Sequence, residues 1–228
     1  MIEIRSSRLR RLIRIAVPVI LLPLTLALGI WAFGGKKYAF LSLAVAVWAF
    51  ILFVAGFERK KTGTRRLVLV CCMTALSVAG RFIPVFKPVT AFTVLCGIYL
   101  GGEAGFLTGA LSAVVSNFYF GQGPWTPFQM CAWGLIGLIA GLLGKWLSKS
   151  RALTVLYGVV SGLLYSMVMD VWTVVWYNGG LDLRLYGAAV VTALPFTALY
   201  CASNALFLFF FARPFGEKMV RVKRLYGV

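Results

Sequence analysis

Eight apolar runs take up most of this 228-residue chain, at about 12–33, 38–57, 67–84, 88–101, 104–120, 126–147, 152–177 and 184–212. Several reach the 17–25 residues with which a helix crosses about 30 Å of hydrocarbon. Segments of that length and polarity leave little choice of solvent. The composition agrees, with 61% hydrophobic and only 13% charged residues, where a soluble domain of this size carries roughly a quarter charged. A secreted disulfide scaffold, a disordered chain and an ordinary cytosolic enzyme are thereby excluded. The expected fold class is all-α, a polytopic membrane protein.

The longest polar stretch between runs is the segment 58–66, which holds Arg59, Lys60, Lys61, Arg65 and Arg66. It divides the chain into an N-terminal transmembrane hairpin with its basic linker (1–66), a six-helix membrane module (67–212) and a basic tail (213–228). A net charge of +17 raises the question of nucleic acid. The basic residues, however, lie between the apolar runs instead of along one polar face, so no nucleic-acid partner is expected. Their distribution sets orientation instead. If the N-terminus is cytoplasmic, eighteen Lys and Arg flank the runs on that side, Arg14, Arg66, Arg151 and Arg224 among them, against five on the other (Lys36, Lys37, Arg81, Lys87, Arg184). The positive-inside bias therefore places both termini in the cytoplasm of a multi-pass cell-membrane protein.

Little in the chain suggests catalysis. It has no histidine, so zinc-peptidase motifs and His-based proton transfer are absent. Its five cysteines sit in or at the edges of apolar runs without CxxC spacing and read as small core residues. Gly144-Lys145-Trp146 lacks the remainder of a phosphate-binding loop. No cofactor or metal is expected on this chain.

Polar and aromatic residues gather instead at the outer ends of the module. Arg81 and Lys87 follow the third run. Asn117, Gln122, Trp125 and Gln129 surround the fifth–sixth connection, and Tyr177 and Asn178 end the seventh run. An interfacial aromatic belt accounts for some of the rings. It does not account for Gln129 and Trp133, one helical turn apart on one face, nor for Asp170. As the only acidic residue inside an apolar span, Asp170 needs a partner or a wet cavity: a substrate, a neighbouring helix or Arg81. The loop from Gly121 to Pro127 is stiffened by Gly and Pro yet carries Gln122 and Trp125, which favours a binding loop. The expected substrate-binding residues are Arg81, Asn117, Gln122, Trp125, Gln129, Trp133, Asp170, Tyr177 and Asn178. Small residues at four-residue spacing (Gly105, Gly109, Ala113; Gly137, Gly141; Ala75, Ala79) predict close helix contacts.

This layout resembles the substrate-binding S components of energy-coupling factor (ECF) vitamin transporters, over about 67–212, with Ala75 and Ala79 forming an AxxxA pair in the first helix of the module. The stretch from Asn117 to Gln129, with Ala132 to Gly137, looks like the S components assigned to cobalamin. The resemblance implies a non-catalytic subunit that captures a vitamin, with cobalamin or a related corrinoid as the best guess. It implies docking through Ala75 and Ala79 to a transmembrane coupling subunit, and two ATPase partners that hydrolyse ATP. The extra hairpin departs from the six-span pattern. The alternatives are a self-sufficient secondary transporter or channel, or a structural membrane protein without a ligand.

The charge distribution makes a topological prediction. Single cysteines placed within 121–126 or 178–184 should react with an impermeant thiol reagent added to intact cells, whereas those within 58–66 or the C-terminal tail should not. Labelling of the 58–66 segment from outside would reverse the orientation.

Overall fold

A computed structural model describes residues 6–33, 38–55 and 63–226. The segment 56–62, most of the basic linker, and Lys36 and Lys37 lie outside the described residues. Every regular element among those described is helical: α1 (Ser7–Ala16), continued through a π-helical turn (Val17–Leu21) into α2 (Leu22–Phe33), then α3 (Tyr38–Ala55), α4 (Gly63–Gly80), α5 (Val89–Leu100), α6 (Gly102–Phe120), α7 (Thr126–Leu142), α8 (Gly144–Leu147), α9 (Arg151–Asn178) and α10 (Leu183–Tyr226). The π-turn contains Pro18, which cannot donate a backbone hydrogen bond, and the chain re-registers when Leu22 N–H reaches the Val17 carbonyl.

The eight apolar runs correspond to these helices, with three differences, the first being that the sixth run breaks at Leu143 into α7 and α8. The third run ends as a helix at Gly80, and residues 81–88 form an irregular loop in which Val85 has φ 67°. The final helix does not stop at 212. It continues to Tyr226 with Pro195 and Pro214 inside it, so most of the basic tail is helical. At 44 residues it is about 66 Å long, roughly twice the hydrocarbon thickness. Its last turns fold against the bundle: Met219 is buried and Phe215 meets Phe92 edge-on at 5.8 Å.

Helices α5, α6 and α7 form the centre. Helix α5 has only 12 residues, about 18 Å, too short to span hydrocarbon alone; protein surrounds it, and most of its residues are buried. Helix α4 packs on α5 and α6, α9 packs on α7, and α10 packs on α9 and α5. The N-terminal hairpin is not a separate body. Val45, Ala49, Leu52 and Phe53 of α3 are fully buried, and α3 lies against α6 and α7.

The central contact is backbone on backbone. A side chain at Gly137 would meet the Gly105 carbonyl, one at Gly109 would meet Trp133 backbone, and one at Gly141 would meet Gly102. On α6 and α7 the small-residue spacing read from the sequence therefore marks a real helix interface, whereas Ala75 and Ala79 are exposed. The α9–α10 seam adds polar ties, with Asn204 Nδ2 donating to the Gly158 carbonyl (3.1 Å) and the hydroxyls of Ser166 and Thr197 bonded at 2.5 Å.

Charge segregates as the alternation of runs requires. Glu103, in the first turn of α6, pairs with Arg14 (2.8 Å) and lies 3.7 Å from Arg66, whose guanidinium also donates to the Leu100 carbonyl at 2.6 Å. Lys149, Arg151, Arg213, Arg221 and Arg224 border one groove at that same end. Arg81 and Lys87 stand at the opposite end.

The glycine contact can be tested directly. Gly137→Ala should lower thermal stability by about 1–3 kcal/mol, the range for overpacking a tight interface. Gly187→Ala, in α10 with open space around it, should leave stability unchanged or slightly raised. Thermal unfolding of both variants in detergent checks the contrast; equal effects would mean that α6 and α7 do not meet as described.

Candidate functional site

The polar end of the module is organised by Asn117, fully buried near the end of α6. A buried amide must satisfy its donors and acceptor internally, and Asn117 does so across three elements. Arg81 Nη1 donates to Asn117 Oδ1 (2.6 Å) and to Ser116 Oγ (2.5 Å). Asn117 Nδ2 donates to Thr126 Oγ1 (2.8 Å) and Gln129 Oε1 (2.9 Å) on α7. Gln129 Nε2 then donates to the Tyr165 hydroxyl on α9 (3.1 Å). A continuous chain of hydrogen bonds thus runs from the end of α4, through α6 and α7, to α9.

Aromatic rings stand beside this chain. Trp133 stacks on Tyr165 with centroids 4.8 Å apart and planes 13° apart, and Tyr165 meets Tyr200 of α10 edge-on at 5.3 Å. Trp133 Nε1 donates to Thr90 Oγ1 of α5 (3.2 Å). Together with Arg81, Lys87, Val89 and Gln129 these groups line a small cavity of about 60 Å³, room for roughly two waters. Arg81 and Lys87, near the two ends of the 81–88 loop, belong to its lining. Phe82 packs on Tyr119 and Phe120, and the Arg81 guanidinium lies 4.8 Å from the Phe120 ring and 5.6 Å from Trp133. Val85, a β-branched residue at φ 67°, is strained there, as segments that close over sites often are.

Of the residues expected from sequence, Arg81, Gln129 and Trp133 line the cavity, and Asn117 holds the first two in place. Gln122 lies one step back: it accepts from the Thr126 hydroxyl (3.0 Å) and donates to the Val114 carbonyl (2.8 Å), bracing the loop. Trp125 packs edge-on against Trp172 (5.7 Å), which stacks on Trp176 (6.4 Å). This second aromatic group does not line the cavity, although Trp172 Nε1 is buried with no partner. Tyr177 and Asn178 are exposed, and Asn178 bonds only to the nearby Gly180 carbonyl.

Asp170 falls elsewhere. It is buried on α9 but its side chain makes no hydrogen bond or ion pair among the described residues; of the partners considered for it, Arg81 is engaged with Ser116 and Asn117 instead. The reason is helical phase. Asp170 follows Ser166 by one turn, and Ser166 faces Thr197 of α10, whereas Tyr165 faces α7. Near Asp170, the Tyr186 hydroxyl of α10 donates to the Met167 carbonyl (3.4 Å).

Tyr165, Tyr200, Thr90 and Ser116 were not among the residues expected. Tyr165 and Tyr200 carried a signal: a phenol deep within an apolar run needs a hydrogen-bond partner. Thr90 and Ser116 carried none, since such hydroxyls commonly bond to their own helix. On α4, Ala75 and Ala79 are both exposed, away from this site.

A family model for the ECF-type riboflavin transporter, S component, matches residues 61–206. The chain belongs to this family. The match begins at the basic linker and leaves out the N-terminal hairpin and the last turns of α10. Comparison with curated proteins and with solved structures returned no match. The family comprises substrate-binding components of membrane transporters, not enzymes, and its matched model is named for riboflavin, so the cobalamin-type likeness of 117–137 gains no support from it. Membrane location follows from the family together with three helices, Ser7–Gly29, Arg151–Asn178 and Leu183–Leu225, long and apolar enough to cross a bilayer.

The buried chain of hydrogen bonds predicts a specific weakness of this S component. Asn117→Ala leaves Gln129 Oε1 without a partner and takes one bond each from Arg81 and Thr126, at about 1–3 kcal/mol for a buried group left unsatisfied. Ligand-free protein should lose several degrees of thermal stability, while Tyr177→Ala should lose none. Unchanged unfolding of Asn117→Ala would show that the chain of bonds does not hold the site.

Proposed function

We propose that this S component is the ligand-capturing subunit of an ATP-driven ECF importer, and that its vitamin binds in the cavity between Arg81, Gln129, Trp133 and Tyr165 at the extracellular end. The observation that carries the reading is the convergence there of an aromatic wall with a few fixed polar groups, the usual character of small-molecule sites.

A flat conjugated vitamin of the flavin class fits this wall better than a corrinoid. Trp133 and Tyr165 are stacked on each other, so a flat ring would extend that stack on a free face once Arg81 moves off Trp133, with Gln129, Thr90 and Arg81 supplying hydrogen bonds at the ring edge. The family name points the same way. The cavity of about 60 Å³ is smaller than any vitamin, so capture requires the 81–88 loop to lift and Arg81 to swing away from Trp133. A corrinoid would also require the central helices to separate, and the glycine contacts oppose that. Ala75 and Ala79, exposed on α4, offer a flat face on which a helix of the coupling subunit can lie closely. The ATPase subunits act through that partner.

Riboflavin titrated into purified protein should lose its fluorescence saturably, and excess cobalamin should not restore it. Gln129→Ala and Trp133→Ala should each weaken binding at least roughly fivefold, the effect of about 1 kcal/mol. Binding of cobalamin without riboflavin would return the substrate to the corrinoids, and unchanged affinity in both variants would move the site elsewhere.

Docking separates from capture. Ala79→Leu should abolish uptake by the assembled transporter while the isolated subunit keeps its affinity; loss of both together would make the AxxxA face part of internal packing.

A further inference from the structure

At the basic end, α9 begins beside the last turns of α10, and a groove of about 970 Å³ lies between them. Five cationic side chains, Lys149, Arg151, Arg213, Arg221 and Arg224, line it against the single carboxylate of Glu217. Two of the five are already engaged. Arg213 pairs with Glu217 at 3.2 Å, and the Arg151 guanidinium lies 3.8 Å from the Phe209 ring. The side chains of Lys149, Arg221 and Arg224 make no hydrogen bond or ion pair among the described residues, yet the fold brings them to one concavity from two different helical regions.

Topology alone does not call for this arrangement. The positive-inside bias needs basic residues near span ends, not three unpaired ones converging on a groove. The groove is also amphipathic. Val220 and Leu225 line it and are exposed, and exposed Trp146 stands next to the lining residue Leu147, as a ring at headgroup level does.

We infer that this groove binds the headgroup of an anionic phospholipid, its phosphate held by Lys149, Arg221 and Arg224. Its acyl chains run from the groove along α10 toward exposed Phe209 and Phe210. A basic pocket between membrane helices has the charge and position for such a lipid, and the apolar lining favours it over a free phosphate ion. The lipid bridges α9 to the end of α10, which otherwise meet there across open space.

The test uses the full-length protein, delipidated in detergent and offered equal amounts of phosphatidylglycerol and phosphatidylcholine, with bound lipid counted by native mass spectrometry. Wild-type protein should retain phosphatidylglycerol at least fivefold over phosphatidylcholine. The triple variant Lys149→Gln, Arg221→Gln, Arg224→Gln should lose that preference. A control triple, Arg8→Gln, Arg11→Gln, Lys218→Gln, removes equal charge near the same end and should keep it. Arg221→Gln alone carries the comparison if the triple variant is poorly folded, and should reduce the preference at least twofold. Equal retention of both lipids by the wild type, or equal loss in the control, would overturn the site. Displacement of the lipid by inorganic phosphate alone would make it a soluble-anion site instead, and overturn the lipid assignment. So would an unaltered lipid preference in a triple variant that no longer assembles with the coupling subunit.

Discussion

The meeting of α6 and α7, backbone against backbone through Gly105, Gly109, Gly137 and Gly141, is the contact on which the pocket end depends. In a bilayer, apolar side chains gain little by leaving lipid for protein, so helices associate by close packing and by the polar contacts that closeness allows. Removing side chains from the interface brings Asn117 on α6 within 3 Å of Gln129 and Thr126 on α7. An interface of leucines would hold these amides too far apart to bond. The packing of small residues and the position of the polar groups are therefore one feature.

The polar chain it creates holds the site in a single arrangement. Buried hydrogen bonds in a medium of low dielectric are strong when complete and costly when broken. Arg81 is fixed by two acceptors and Gln129 by two partners. Gln129 is thereby oriented before a ligand arrives, which reduces the entropy lost on binding. In the proposed capture, the part that moves is the 81–88 loop with its strained Val85. A rigid floor under a movable cover suits a subunit that must hold a scarce solute and then release it.

The two ends of the bundle divide the electrostatic work. At the pocket end, Arg81 and Lys87 are engaged with acceptors or rings. At the other end, Arg66 and Arg14 gather about Glu103 and tie α1, α4 and α6, while further cations remain unpaired around the α9–α10 groove. The extended α10 connects the ends: Tyr200 is part of the aromatic wall, and Arg221 and Arg224 belong to the groove.

Hydrophobic periodicity and flanking charge determined the helices, their alternation and the family resemblance, because those properties are local and survive without knowledge of neighbours. They also exposed Gln129 and Trp133, which share a face one turn apart, and the glycine spacings. Asp170 shows where that reasoning stops. Its rarity within a span was legible, but which neighbour it faces depends on the rotation of α9, and that rotation is fixed by packing Tyr165 against α7 and Ser166 against α10. Tyr165, Tyr200 and Thr90 joined the site for the same reason: they come from three separate helices, and only their assembly could bring them together. Likewise the basic tail read as a tail until the packing of Phe215 and Met219 kept it helical beneath the bundle. The sequence by itself determined which segments are helices in a membrane; the tertiary structure alone decided which faces meet, because that choice rests on contacts between residues far apart in the chain.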